Sequence, residues 1–169
     1  SPMIEATMHK RKKQICDSWR MDETYIKVGG KDRYLYRAVD KQGNTVDFLL
    51  TKRRIKGSAQ KFLNKAIGNN GKPRLINIDK SGSNTEASRI INRHSLTFKK
   101  IKTRRVKYLN NIVEQDHRTI KRRIAITTGF KEFESAQRTL AGIEIINIIR
   151  KDQLSNSKKS WFATFKSLA

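Results

Sequence analysis

Trp19-Arg-Met-Asp-Glu-Thr-Tyr-Ile-Lys-Val28, followed by Gly29-Gly30, is the run from which the rest of the chain can be read. It is rich in β-formers and stops at a turn signal, so it is a strand. Tyr34-Leu-Tyr-Arg-Ala-Val-Asp40 has the same character, and the turn Lys41-Gln-Gly-Asn44 leads into Thr45-Val-Asp-Phe-Leu-Leu50. Three strands joined by two tight turns make an antiparallel meander. From Lys56 to Ile67 the apolar period lengthens, with Ala59, Phe62, Leu63, Ala66 and Ile67 on one face, which predicts a helix ending at Gly68-Asn-Asn-Gly71.

Outward from this block, Pro73 introduces Arg74-Leu-Ile-Asn-Ile-Asp79, an apolar run suited to a buried strand with a carboxylate at its C-terminal end. Ser83-Asn84 can cap a helix through about Asn92, and residues 95–101 are expected as a fifth strand. Tyr108 to Arg123 then follows a helical period. Leu109, Ile112, Val113, Ile120 and Ile124 fall on one face, and Asn110, Glu114, His117, Arg118 and Lys121 on another. A further helix is expected over 132–149. The order βββ, α, β, α, β, α predicts an α/β protein with a mixed five-stranded sheet, three antiparallel strands and then parallel ones, flanked by helices.

The 169 residues suit one domain and carry a formal charge of +23, with bases spread from Lys10 to Lys166. Such an excess points to a polyanionic partner, nucleic acid ahead of an anionic membrane, although a ribosomal protein would share it. The single Cys16 excludes an internal disulfide framework and a zinc ribbon, and fits a reducing cytoplasm. No apolar run reaches the roughly 20 residues that span a bilayer, and the first residues lack the apolar centre of a signal peptide. The expectation is a soluble, cytoplasmic protein.

Three acids can share a site in this array. Asp22 lies inside the first strand, Asp79 ends the fourth, and Glu114 lies on the helix after the fifth, with 34 residues between the last two. Strand alternation turns Glu23 away from Asp22. Magnesium and similar hard cations take oxygen ligands, and two ions about 3.5 to 4 Å apart can clamp the attacking and leaving oxygens of a phosphoryl transfer. Alone, the helix bearing Glu114 reads as an ordinary amphipathic one.

With Lys121 seven positions after Glu114, this arrangement resembles the retroviral-integrase-like DDE transposases, whose core has an RNase H-like fold. Trp19 to Val28, Tyr34 to Asp40, Asn77-Ile-Asp-Lys80, Val106 to Arg118 and Gly129-Phe-Lys resemble, in order, the insertion-sequence-six family of bacterial transposases over residues 18–153. The resemblance implies that Asp22, Asp79 and Glu114 are catalytic and hold two Mg2+ or Mn2+ ions. These ions would activate water to cut the 3′ strand at an element end, and the same site would join the freed 3′-hydroxyl to target DNA, giving a cointegrate. Lys121 would contact DNA near the scissile phosphate, with Arg118, Arg122 and Lys107 as further DNA contacts. The implied partners are terminal inverted repeats, target DNA and further copies of the chain, in a protein that is nucleoid-associated when bound.

Three departures qualify the resemblance. Residues 1–17, with the basic run His9-Lys10-Arg11-Lys12-Lys13, read as an arm or linker and do not resemble the family's helix-turn-helix region. The chain therefore reads as a truncated copy or an excised catalytic segment, and a catalytically silent DNA-binding relic is the alternative. An RNase H-like nuclease or a ribosomal-type RNA binder is a weaker one. Arg123 to Gly129 lacks the arginine and proline expected before the glycine, and residues 154–169 match no motif, although Trp161, Phe162, Phe165 and Leu168 are helically spaced.

Of the remaining residues, His117 is read as a DNA contact or as a solvated or hydrogen-bonded histidine, and Asp116 as a salt-bridge partner of a core arginine. Tyr25, Tyr34 and Tyr36 are read as sheet packing before base stacking. Gly142 would permit close packing of its helix.

Overall fold

Strand β1 (Ser18–Val28) is the axis of the sheet. Its alternation sends Trp19 and Met21 to one face and Ile26 and Val28 to the other, and all four are buried. β2 (Lys31–Asp40) pairs antiparallel with β1, and β3 (Thr45–Thr51) antiparallel with β2. On the other side β4 (Leu75–Asn77) runs parallel to Ser18–Arg20, and β5 (Lys102–Arg104) runs parallel to β4. The order β3-β2-β1-β4-β5 is the mixed sheet expected. This computed structural model describes residues 2–79, 82–93, 96, 100–126, 129–157 and 160–168.

Each face of the sheet carries its own core. α2 (Lys56–Asn70) and α3 (Gly82–Arg93) cover the face of Trp19, Met21, Tyr36 and Ala38, with Phe62, Leu63, Ala66 and Ala87 buried against it. α4 (Asn111–Ile126), entered through the 3-10 turn Lys107–Asn110, and α5 (Phe133–Arg150) cover the face of Ile26, Val28, Leu35 and Leu50. Fully burying a Leu or Phe side chain contributes about 1.5 to 3 kcal/mol, so the apolar period of each helix largely decides its seat. Gly29 is required where β1 turns into β2. Its φ is +56°, and a Cβ there would lie 2.9 Å from the Lys131 carbonyl.

Three expectations are corrected. Pro2–Arg11, expected within an arm, form helix α1, whose Met8 is buried with Ile145, Ile148, Ile149, Leu154 and Leu168. The basic run is largely committed to the fold: Arg11 donates to the carbonyls of Ser155, Asn156 and Ser167, Lys12 to Val46 O and Asn70, and Lys13 pairs with Asp152. The fifth strand is Lys102–Arg104 instead of 95–101; residues 94, 95 and 97–99 lie outside the described residues. Asn92 fixes where that strand begins, exchanging hydrogen bonds of 2.7 and 2.8 Å with the backbone of buried Ile101. A Cβ at Gly142 would meet open space, so that glycine does not serve close packing within the chain.

The tail holds α6 (Trp161–Lys166), which places Phe165 and Leu168 against α1 and α5 and leaves Trp161 and Phe162 exposed. Among the described residues no helix is long and apolar enough to cross a membrane.

Candidate active site

The three acids come from three elements that meet at β1. Asp22 is midway along β1 on the face turned to α4, Asp79 lies two residues beyond β4, and Glu114 stands in the first turn of α4. Burial pushes the Asp22 carboxyl up to about 7, and the nearby Asp79, Glu23 and Glu114 carboxylates add to the shift against a backbone hydrogen bond from Glu23. Among the described residues no three His, Cys, Asp or Glu side chains close around a common point as metal ligands do. The donor chemistry nevertheless fits a hard divalent ion: the charges of Asp79, Glu23 and Glu114 bear on the half-buried Asp22, and a cation would offset their mutual repulsion.

A set of asparagines, overlooked in the sequence, fixes these elements to one another. Asn77, the last residue of β4, donates to Asn110 Oδ1 at 2.7 Å and to the Val106 carbonyl at 2.9 Å. Asn110 reaches Met21 O at 3.5 Å, so one residue before α4 touches the strands that position Asp22 and Asp79. Asn84, expected only as a helix cap, donates to Glu23 Oε2 at 2.8 Å and to Asp79 Oδ1 at 3.1 Å. Glu23 points to the opposite face from Asp22, as alternation requires, and accepts from Arg54 Nε at 2.6 Å. It therefore braces Asp79 through Asn84.

Behind α4 lies a buried ionic cluster. Arg37, opposite Asp22 in the β1/β2 register, has a fully buried side chain and pairs with Glu144 of α5 and, at 3.0 Å, with Asp116. Asp116 also accepts from Lys151 at 2.6 Å. The expected salt bridge of Asp116 to a core arginine is thus present, and Arg37 and Lys151 are the partners.

His117 is corrected. It is buried, and burial together with the charges of Arg37 and Lys121 lowers it to about 3. A neutral imidazole forms no ion pair, although its Nδ1 lies 3.6 Å from Asp22 Oδ2. The helical projection put it beside Glu114, but α4 packs that edge onto β1 and removes it from any DNA-facing surface.

Lys107, Arg118, Lys121 and Arg122 are all exposed, on the 3-10 turn and α4. Tyr36 is buried as sheet packing, while Tyr25 is 56% exposed and stands under the Lys121 ammonium, 4.7 Å from its ring centre. The α4 exit at residues 127 and 128, where the expected arginine and proline are lacking, lies outside the described residues.

Known structures share this architecture. A chain of the simian T-cell lymphotropic virus intasome in complex with PP2A regulatory subunit B56 gamma matches at a TM-score of 0.59 and 18% identity, over 92% of this chain and 56% of its own. The HTLV-2 integrase catalytic core domain in complex with magnesium (dimeric form) matches at a TM-score of 0.50 and 20% identity, over 66% and 71%. The fold is therefore the RNase H-like core of the retroviral integrases.

A family profile described as a DDE domain matches residues 16–153. The transposase for insertion sequence-like element IS431mec of Staphylococcus aureus (strain N315) is 40% identical over 152 residues, 89% of this chain and 66% of the relative. The chain belongs to the DDE transposases of the insertion-sequence-six family. It spans just under two thirds of the length of the curated relatives it matches.

Proposed function

We propose that this chain is the catalytic core of an insertion-sequence transposase, which cuts the 3′ strand at an element end and joins it to target DNA. The observation that carries the reading is that the charges of Asp79, Glu23 and Glu114 all bear on the half-buried Asp22, on elements tied by Asn77, Asn84 and Asn110. Asp22, Asp79 and Glu114 would hold Mg2+ or Mn2+, two ions in all. Bound there, the metal supplies Lewis acidity and an activated water for attack on a phosphodiester. Magnesium accompanies the HTLV-2 core of the same fold.

The chain's own residues orient the reactants. Exposed Lys107, Arg118, Lys121 and Arg122 take DNA phosphates along α4, with Lys121 two turns beyond Glu114. Neutral His117 and the Arg37 cluster fill the space behind the acids and keep water from that side. A silent DNA binder would need none of these carboxylates held in place. The +23 charge supports a DNA partner, terminal inverted repeats and target alike, and joining two ends calls for a homo-oligomer. Action on DNA places the protein in the bacterial cytoplasm at the nucleoid.

Strand transfer of a pre-cut oligonucleotide into supercoiled plasmid, with magnesium or manganese, tests the reading. Joined product from this chain and none from its Glu114→Gln variant is the expected result. DNA binding by both with joining by neither would overturn it.

A further inference from the structure

Tyr25 and Lys121 border a hollow of about 380 Å3, floored by the buried Ile26 and Ile124 and continued by Lys27 and Gly129. It lies between β1 and α4, the two elements that carry Asp22 and Glu114. Tyr25 is three residues, about 10 Å, along β1 from Asp22 and alternates to the other face of the strand, but its exposed ring comes to the α4 side, where the Lys121 ammonium sits 4.7 Å from its centre. β4 pairs with β1 only at Ser18–Arg20, and the next β-pairing of β1 outside β2 is the bridge from Val28 to Phe130, so among the described residues no strand covers β1 beside the hollow. Lys27 is engaged with Asp32 at 2.7 Å, whereas Lys121 has no carboxylate partner among the described residues and rests on the Tyr25 ring.

We infer that this hollow is a stacking site for one unpaired base of the DNA strand held at the acids, with Tyr25 as the platform and Lys121 on the adjoining phosphate. The inference rests on the reading of the chain as a core that acts on DNA. An exposed aromatic ring accepts the face of any base, and an apolar floor beneath a cation suits a base joined to its phosphate. The volume is in the range of pockets that take small molecules and is too narrow for a duplex, so the base enters unpaired.

Forked and blunt duplexes of the same arbitrary sequence, the fork carrying 2-aminopurine among its unpaired 3′ bases, test the inference at fixed salt. The chain should prefer the fork by roughly five- to a hundredfold, with quenching of the 2-aminopurine. Tyr25→Phe should keep that ratio and Tyr25→Ser should bring it close to one, both with the melting temperature of the parent chain. Equal ratios in the parent chain and Tyr25→Ser would overturn the inference, as would binding of both duplexes without preference; in either case the DNA-core reading stands. A chain that bound neither duplex would overturn both.

Discussion

Asn77 and Asn110, one at the end of β4 and the other just before α4, meet through a buried hydrogen bond of 2.7 Å. That bond fixes the height of Glu114 relative to Asp79, because each acid lies within a few residues of one of the two amides. Asn110→Ala leaves the Asn77 amide short of an acceptor, and an unsatisfied buried polar group costs about 1 to 3 kcal/mol. A urea melt should show a loss of that size. The variant should also lose most of the thermal stabilisation by millimolar magnesium. Unchanged magnesium stabilisation would show that Asn110 serves stability alone.

The Arg37 cluster offers a second test. Arg37→Met strands Glu144, whose carboxyl burial already pushes up, without its cation. Breaking a buried ion pair from one side costs about 3 to 5 kcal/mol, while replacing both partners with apolar groups is often neutral. The expected result in chemical denaturation is a large loss for Arg37→Met and partial recovery in Arg37→Met/Glu144→Leu. Equal losses in the two variants would contradict a purely electrostatic origin.

The contrast between these two features shows what the sequence could and could not reveal. β1 to β3 and α2 are legible because their apolar periods are strong and their turns carry glycine. The fifth strand is displaced because Lys102–Arg104 are all exposed, so no apolar alternation marks them. Helix α1 shows no clear period, and Met8 is buried only because α5 and the tail meet it. The acids proposed for the site, Asp22, Asp79 and Glu114, stand out in the sequence through their spacing. Their supports do not: Asn84 reads as a cap, and Arg37 finds Glu144 across 107 positions, a pairing that no local pattern encodes. His117 misled because a helical projection gives the face of a residue without its neighbour.

Charge predicts how DNA binding responds to salt. Each duplex phosphate neutralised adds about −0.9 to the slope of log K against log salt. Single alanine substitutions of exposed Lys107, Arg118, Lys121 and Arg122 should each flatten that slope by about one and weaken binding to unrelated duplexes alike. Titrations between low and physiological salt check this. A variant with the parent slope would remove its residue from the phosphate-contacting set.

Asp22 predicts how the metal-free protein responds to pH. Its ordinary value is 3.8, and in the fold it stands at about 7. Between these values the native state holds a proton that the unfolded chain has released, so the native state binds more protons and stability falls as pH rises. The stabilising contribution is complete below about 4 and lost above 7, and the shift corresponds to about 4 kcal/mol at most. Asp22→Asn lacks this titration, so without metal it should be more stable than the parent chain at pH 8 and nearly equal to it at pH 4. Adding magnesium at pH 8 should raise the melting temperature of the parent and leave the variant almost unmoved. A metal-free parent that melts as high as Asp22→Asn at pH 8 would mean that burial and the neighbouring acids do not penalise the ionised Asp22.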